Sequence, residues 1–323
     1  MKINLITPAK KHSKNGNRTS AVRWAGFLRA GGHQVEINTD YDGRSCDLMI
    51  ALHAWRSAEA VNQYKSKYPD GALIVALGGT DVNTFLESDP EVTLPTMEKA
   101  DALVCLHHQI RDALPAHLLP KLHVIVQSAK PLASPRKPAQ RNFDVCVIGH
   151  LRDEKDPLRT AYAARLLPAS SKIRVIHLGK AHTETWATAA RKEQSENPRY
   201  IWKGEVSGAE VRKEFSKSRL MVLSSNQEGG ANVISEAIVA GVPVLASDIP
   251  GNTGLLGKDY PGLYPVGNEQ ALTSQLIKIE TNTQYRNTIE KACNTLHQKF
   301  LPEREAQAWE KLINNFDPLS PNK

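Results

Sequence analysis

Residues Leu220–Ala240, LMVLSSNQEGGANVISEAIVA, decide the reading of the fold. The apolar run Leu220–Leu223, ending in Ser224 and Ser225, reads as a buried strand. Gly229 and Gly230 then let the backbone turn tightly and approach a ligand with no Cβ in the way. Asn232 is expected to cap a helix, because Val233, Ala237 and Ala240 follow at helical steps on one apolar face. Glu228 therefore falls in the glycine loop and Glu236 in the first turns of the helix. Two carboxylates at a helix N-terminus suit a ligand that carries both a phosphate and hydroxyls. A nucleotide sugar has both.

Working outward, the same strand–turn–helix alternation fills the chain. At 323 residues, two domains are expected. In the first half, strands are expected over 3–7, 34–38, 47–52, 72–77, 101–106 and 123–126. Helices are expected over 19–30 and about 57–67. Residues 129–142, AKPLASPRKPAQRN, have the composition of a linker. The alternation restarts with a strand over 144–148 and a helix beginning at Pro157 after Asp156. Strands at 173–178, 200–202, 242–246 and 262–266 and helices near 183–196 and 209–217 follow. The last stretch, 284–316, is mostly helical, with a break at Pro302. The fold class is α/β, with two Rossmann-like parallel sheets. The expected division is 1–128, a linker 129–142, 143–300, and a terminal helix 301–323 returning towards the first domain.

Composition narrows the function. The net charge of +7 admits an anionic partner, but the basic residues are scattered and not interleaved with aromatics. A small phosphorylated ligand is favoured over nucleic acid. No run approaches the roughly 20 apolar residues of a membrane helix. Cys46, Cys105, Cys146 and Cys293 lack metal-ligand spacing and read as free thiols, consistent with a reducing cytoplasm.

The polar turns Asn15–Arg18, His53, Gly78–Asp81, His150–Lys155 and Glu228–Asn232 all fall at the carboxyl ends of strands, where open parallel sheets bind ligands. In the loop Gly149–Asp156, Lys155 first and Arg152 second could stand beside a leaving diphosphate, where negative charge develops. Gly16 permits close approach near the N-terminus, and Arg18 offers a fork for phosphate-like oxygens. His53, followed by Arg56, positions an acceptor, shuttles a proton, or is an ordinary loop histidine. Asp81 caps a helix or accepts a hydrogen bond from a ligand. Asp40-Tyr41-Asp42 matches the short DxD pattern for a metal on a nucleotide diphosphate, but it lies where turns commonly place aspartates. No metal and no cofactor are invoked. No Ser-His-Asp arrangement stands out in the sequence.

These loops resemble the glycosyltransferases of the GT-B fold, specifically the large family 4 group. Glu228–Glu236 matches that group's E-x7-E motif, and Ala237–Val242 with Pro243 and Val244 matches the run that follows it. Gly149–Lys155 resembles its G-R-L-x-x-x-K loop, with His150 where the group usually has arginine and Arg152 as a substitute cation. The resemblance implies that Lys155 binds the donor diphosphate, Glu236 the ribose hydroxyls and Glu228 the transferred sugar. Gly229, Gly230, Ala231, Asn232 and His150 complete the donor side. A narrower resemblance covers most of the chain. The stretches KINLITPA, GNRTSAVRWA, YDGRSCDLMIALHAWRS, GGTD, VCVIGHLRDEKDPLR and EGGANVISEAIVAGVPVLASDIPGNTGLLGKDYPGLYPVG look like the selenosugar synthases of selenoneine biosynthesis. That resemblance implies a metal-independent transferase joining selenium from selenophosphate to a UDP-sugar, UDP-N-acetylglucosamine or UDP-glucose. Gly16, Asn17, Arg18, His53, Arg56 and Asp81 are then placed on the selenophosphate side by loop position. The competing readings are a hexosyltransferase with a hydroxyl acceptor, a nucleotide-sugar binding module and a basic nucleic-acid binder.

Overall fold

The short apolar runs become the strands of two parallel sheets. In the computed structural model, which describes residues 1–12 and 16–317, the chain divides into two units. Unit 1 comprises residues 1–127 and 302–323, and unit 2 comprises 128–301. Asn15, the first residue of the polar turn Asn15–Arg18, lies outside the described residues.

The sheet of unit 1 contains β1 (Lys2–Ile6), β2 (Gln34–Asn38), β3 (Leu48–Leu52), β4 (Leu73–Ala76), β5 (Ala102–Cys105) and β6 (Leu122–Val124) in the order β2-β1-β3-β4-β5-β6. LMIAL, LIVA and ALVC are buried at every position. Both faces of these strands are covered, which is why they lack the alternation of a half-exposed strand. One face packs Met49, Ala51, Leu73, Val75 and Leu103 under Tyr64 of α2 (Ala58–Lys67). The other packs Leu5, Leu48, Ile50, Ile74 and Val104 under Trp24 and Leu28 of α1 (Gly16–Ala30). A π-helical turn (Asp81–Phe85), α3 (Leu86–Ser88) and α4 (Pro90–Glu98) follow β4.

Unit 2 contains β7 (Phe143–Ile148), α5 (Arg159–Arg165), β8 (Ile173–Leu178), α6 (Glu184–Glu196), β9 (Tyr200–Trp202), α7 (Gly208–Lys217), β10 (Leu220–Leu223), α8 (Asn232–Val239), β11 (Val244–Ser247), α9 (Pro250–Leu256), β12 (Leu263–Tyr264), α10 (Glu269–Thr281) and α11 (Thr283–His297). Its sheet runs β12-β11-β10-β7-β8-β9. Thr183 caps α6 by accepting from the Trp186 N–H at 3.2 Å, and Ser207 caps α7 by accepting from Glu210 N–H at 3.2 Å. Residues 129–142 lie along this unit: Lys137 and Ala139 donate to the carbonyls of Ser216 and Lys217, each at 2.9 Å.

The last helix, α12 (Pro302–Ile313), belongs to unit 1. Its Trp309 is fully buried against Trp24, with ring centroids 4.8 Å apart. Its buried Glu305 accepts from Trp24 Nε1 at 2.7 Å and pairs with Arg23 at 2.8 Å.

Several local expectations are corrected. Gly16, Asn17 and Arg18 form the first turn of α1 and not a loop before it. Ala231 occupies the cap position of α8, and Asn232 is its first helical residue. β10 ends at Leu223, and Ser224 and Ser225 follow it as buried loop residues. Pro157 does not open a helix: Asp156 adopts a left-handed conformation (φ 42°, ψ 58°), and α5 begins at Arg159. Arg159 explains the kink, bonding back to Asp156 at 2.7 Å and across to Glu269 at 2.5 Å.

Candidate functional site

In a doubly wound sheet, the two strands at which the winding reverses leave a crevice at their carboxyl ends. In unit 2 those strands are β7 and β10. The loops that leave them are Gly149–Leu158 and Ser224–Ala231, the two stretches that carry the sequence motifs. They are tied together. Asn226 N–H donates to the Glu154 carbonyl at 2.8 Å, and Asn226 Nδ2 donates to the Asp153 carbonyl at 3.3 Å.

The tie brings Lys155 and Glu228, 73 residues apart, into a direct ion pair between Nζ and Oε1. Both side chains are mostly buried, at 17 % and 10 % exposure, so the pair is shielded from the screening that weakens surface pairs. Ser225 Oγ donates to the same Glu228 oxygen at 2.6 Å. Behind Glu228, the backbone of Gly251 in α9 packs so closely that a Cβ there would stand 2.2 Å from the Glu228 carbonyl oxygen. Glu236 lies half-buried in the second turn of α8. Gly229 and Gly230 are half-buried between them, and Gly230 has φ 116°, a conformation that favours glycine.

The Gly149 loop is held from below by β8 and the turn after it. His177 is fully buried, its Nε2 3.1 Å from the Gly149 carbonyl and its Nδ1 2.9 Å from Tyr200 Oη. Burial lowers its pKa to about 4, so the imidazole is neutral and donates from Nε2. A Cβ at Gly179 would sit 1.7 Å from the Gly149 carbonyl oxygen. No other residue fits there without moving the loop. His150 accepts from Lys180 N–H through Nδ1 at 3.1 Å. Burial, followed by the nearby His182 and Arg152 charges, lowers the His150 pKa. A neutral ring that accepts at Nδ1 carries its proton on Nε2. His150 therefore offers a neutral N–H where the family 4 motif offers a guanidinium. Arg152 pairs with Glu154 of its own loop at 3.0 Å.

In unit 1 the winding reverses between β1 and β3, and His53 directly follows β3. It is buried and has φ 80°, in the left-handed region that non-glycine residues rarely occupy. Asp81 is fully buried. It does not cap the turn it begins; instead its carboxylate gathers three backbone N–H groups, from Ala54 at 2.7 Å, Trp55 at 2.9 Å and Gly78 at 2.7 Å. Asp81 Oδ1 also lies 2.5 Å from His53 Nδ1. On the other side of the ring, His53 Nε2 is 2.7 Å from Thr80 Oγ1 and receives Arg56 Nε at 3.3 Å. The sequence singles out His53, Arg56 and Asp81 one by one, but neither Thr80 nor the contacts that join them. The DxD candidate is an irregular loop: Asp40 accepts from Thr39 Oγ1 at 2.7 Å, while Asp42 pairs with Arg44. Hydrogen bonds from Arg44 hold the Asp42 carboxyl below its usual range. Among the described residues, no cluster of three or more His, Cys, Asp or Glu could hold a metal, and no helix is long and apolar enough to cross a membrane.

Comparison with known proteins places this architecture. Residues 132–295 match the family Glycosyl transferases group 1, and the chain belongs to that family. It is 24% identical over 346 residues to Glycosyltransferase 1 domain-containing protein 1 of Xenopus tropicalis, covering 98% of both chains. Among solved structures, it is similar to Anabaena Alr3699/HepE in complex with UDP, with TM-score 0.79 and 16% identity over 98% of this chain and all of the other. Sucrose-phosphate synthase from Thermosynechococcus elongatus matches with TM-score 0.75 and 14% identity over 97% and 98% of the two chains. The fold is GT-B, and the chain is a glycosyltransferase.

Proposed function

We propose that the chain is a selenosugar synthase, transferring a sugar from a UDP-sugar to the selenium of selenophosphate. The observation that carries the donor half is the Lys155–Glu228 ion pair, held by two tied loops at the crevice of unit 2. Similar structures support UDP as the carrier, since Alr3699/HepE was solved with UDP-glucose. The acceptor half is supported by the sequence resemblance running from Lys2 to Gly267.

The proposed donor mechanism uses residues that are paired before the ligand arrives. A diphosphate competes with Glu228 for the Lys155 ammonium, and the released carboxylate accepts hydrogen bonds from the sugar hydroxyls. Glu236 takes the ribose hydroxyls, and the neutral His150 donates to a phosphate oxygen through Nε2. Gly229, Gly230, Ala231 and Asn232 bring backbone close to the ligand. When the anomeric C–O bond breaks, its electron pair moves to the β-phosphate oxygen, where Lys155 stabilises the developing charge. Arg152 is a second cation on the same loop. Selenium forms the new bond to carbon, and water then cleaves the Se–P bond to give phosphate. Arg18, with Gly16 and Asn17 in the first turn of α1, and Arg56 supply the acceptor side.

A second reading, a hexosyltransferase with a hydroxyl acceptor, is favoured by the Thr80–His53–Asp81 chain. A hydroxyl must lose a proton on transfer, whereas an anionic selenium nucleophile does not. Incubation with UDP-N-acetylglucosamine and freshly generated selenophosphate separates the two. The expected product shows a selenium isotope pattern on the sugar by mass spectrometry. Transfer to an alcohol with none to selenophosphate would establish the second reading instead.

A further inference from the structure

We propose that Asn252, Ser247 and Ser225 form a buried train of hydrogen bonds that positions the Glu228 carboxylate for the donor sugar. The train adds to the grip of unit 2 on the hexose and leaves its grip on UDP unchanged. This role rests on the reading of Glu228 as the carboxylate that receives the transferred sugar.

The direction of each bond follows from its acceptor. A carbonyl only accepts, so the amide atom of Asn252 that lies 2.9 Å from the Ser247 carbonyl is Nδ2. The same nitrogen donates its other hydrogen to Ser247 Oγ, 3.1 Å away. That leaves the single hydroxyl proton of Ser247 for the Ser225 carbonyl, at 2.6 Å. Ser225 in turn donates from its own Oγ to Glu228 Oε1, also at 2.6 Å. Asn252, Ser247 and Ser225 are all fully buried. In so low a dielectric, linked hydrogen bonds hold more firmly than the same bonds in water. Asn252 and Ser247 act through Ser225 and are positioning residues.

Sheet register brings the parts together. β10 and β11 pair with Leu223 beside Ala246, so Ser247, the last residue of β11, stands beside the loop that carries Ser225. α9 follows at once. Its Asn252 begins the train, and the adjacent Gly251 lies against the Glu228 backbone. One turn of chain therefore fixes both the main chain and the carboxylate of Glu228. Charge decides what Ser225 adds to Lys155. The ammonium is drawn to a diphosphate, which carries more negative charge than a carboxylate, whereas a neutral hydroxyl feels far less of that pull. As Lys155 turns to the diphosphate, Ser225 keeps its bond to Glu228. The carboxylate then meets the sugar in an orientation set by buried residues and not by the departing cation.

Calorimetry on the full chain tests the role, with UDP, UDP-glucose and UDP-N-acetylglucosamine as ligands. The quantity read is the Kd of the tighter sugar nucleotide divided by the Kd of UDP. Glu228→Ala is expected to raise this ratio by about tenfold and Ser225→Ala by about fivefold. Ser247→Ala, which removes one hydroxyl, should raise it by about threefold. Kd for UDP itself should stay within about twofold in both serine variants. The double variant of Ser225→Ala and Ser247→Ala is expected to match Ser225→Ala alone, because Ser247 reaches Glu228 through Ser225. Independent packing losses would add instead. Asn252→Asp keeps the shape of the side chain, turns its donor into an acceptor, and should match Ser247→Ala. A ratio raised by Glu228→Ala but unchanged in Ser225→Ala or Ser247→Ala overturns the train, even where both ligands weaken together. An unchanged ratio in Asn252→Asp removes Asn252 from it. A Glu228→Ala ratio equal to the wild type overturns the sugar reading of Glu228, and the role of the train falls with it.

Discussion

The two units use the same sheet architecture and place an acidic side chain beside the same kind of crevice, but they hold it differently. In unit 2, the partners of Glu228 include two side chains, Lys155 and Ser225. Side chains have rotamers, so a ligand that offers a better partner can displace them. In unit 1, Asp81 is bound by three backbone N–H groups and lies against a buried imidazole. Backbone donors cannot turn away without unfolding the loop. One carboxylate is exchangeable and the other is fixed. An exchangeable acid suits ligand binding, and a fixed one suits orienting a neighbour.

The sharpest break in that comparison is Asp81→Ala. It leaves three backbone N–H groups, one buried and two part-buried, without their acceptor, at about 1–3 kcal/mol each when buried, so a loss of roughly 3 kcal/mol or more in urea melts is expected. Glu228→Gln, which leaves Ser225 a partner, should lose less than half as much. Lys155→Ala is expected to lower kcat by about 100-fold or more, through the lost stabilisation of the leaving group. Its melting temperature should also fall, because the mostly buried Glu228 carboxylate loses its cation, and wild-type turnover would remove Lys155 from the diphosphate. Gly179→Ala forces the Gly149 loop away from β8. A stability loss of about 1–3 kcal/mol is expected, together with weaker UDP binding by calorimetry.

A smaller effect is set by His177. Its pKa is about 4 in the folded chain, below the ordinary 6.5, so the unfolded chain binds more protons between these values. Its contribution is fully present above pH 6.5 and is lost as pH falls from there towards 4. Stability should fall by about 2 kcal/mol between pH 7 and pH 5 from this group. A urea-melt series on His177→Gln should show a correspondingly flatter dependence. The smallest effect is expected for Asp42→Asn, which removes an exposed pair with Arg44. A change within about 0.5 kcal/mol and unaltered turnover are expected. A large loss of turnover would restore Asp40-Tyr41-Asp42 as a metal site.

The strands were legible because the apolar runs LMIAL, FDVCVI and LMVL leave no other solution in a sheet covered on both faces. Lys155 and Glu228 were legible because each sits in a loop whose motif is local. The short helices α4 and α9 were not. PEVTLPTME contains an internal proline and PGNTGLL two glycines, so packing and not propensity makes them helical. The cap of α8 was misplaced by one residue because Asn232 is a good cap in isolation, while the Gly229–Gly230 turn delivers Ala231 to that position. The His53–Asp81 pair was hidden for a different reason. It depends on the parallel register of β3 and β4, which sets Leu52 beside Ala76 and so brings the two following turns together. Neither turn contains that register.

The placement of α12 sets an order of events during synthesis. Unit 1 is made first, but Trp24 and Arg23 wait for Glu305, and the pocket around Trp24 waits for Trp309. All of unit 2 must leave the ribosome before those residues exist. A nascent chain therefore carries an unfinished first core beside a second unit that already has every segment it needs. The first unit translated is the last one closed.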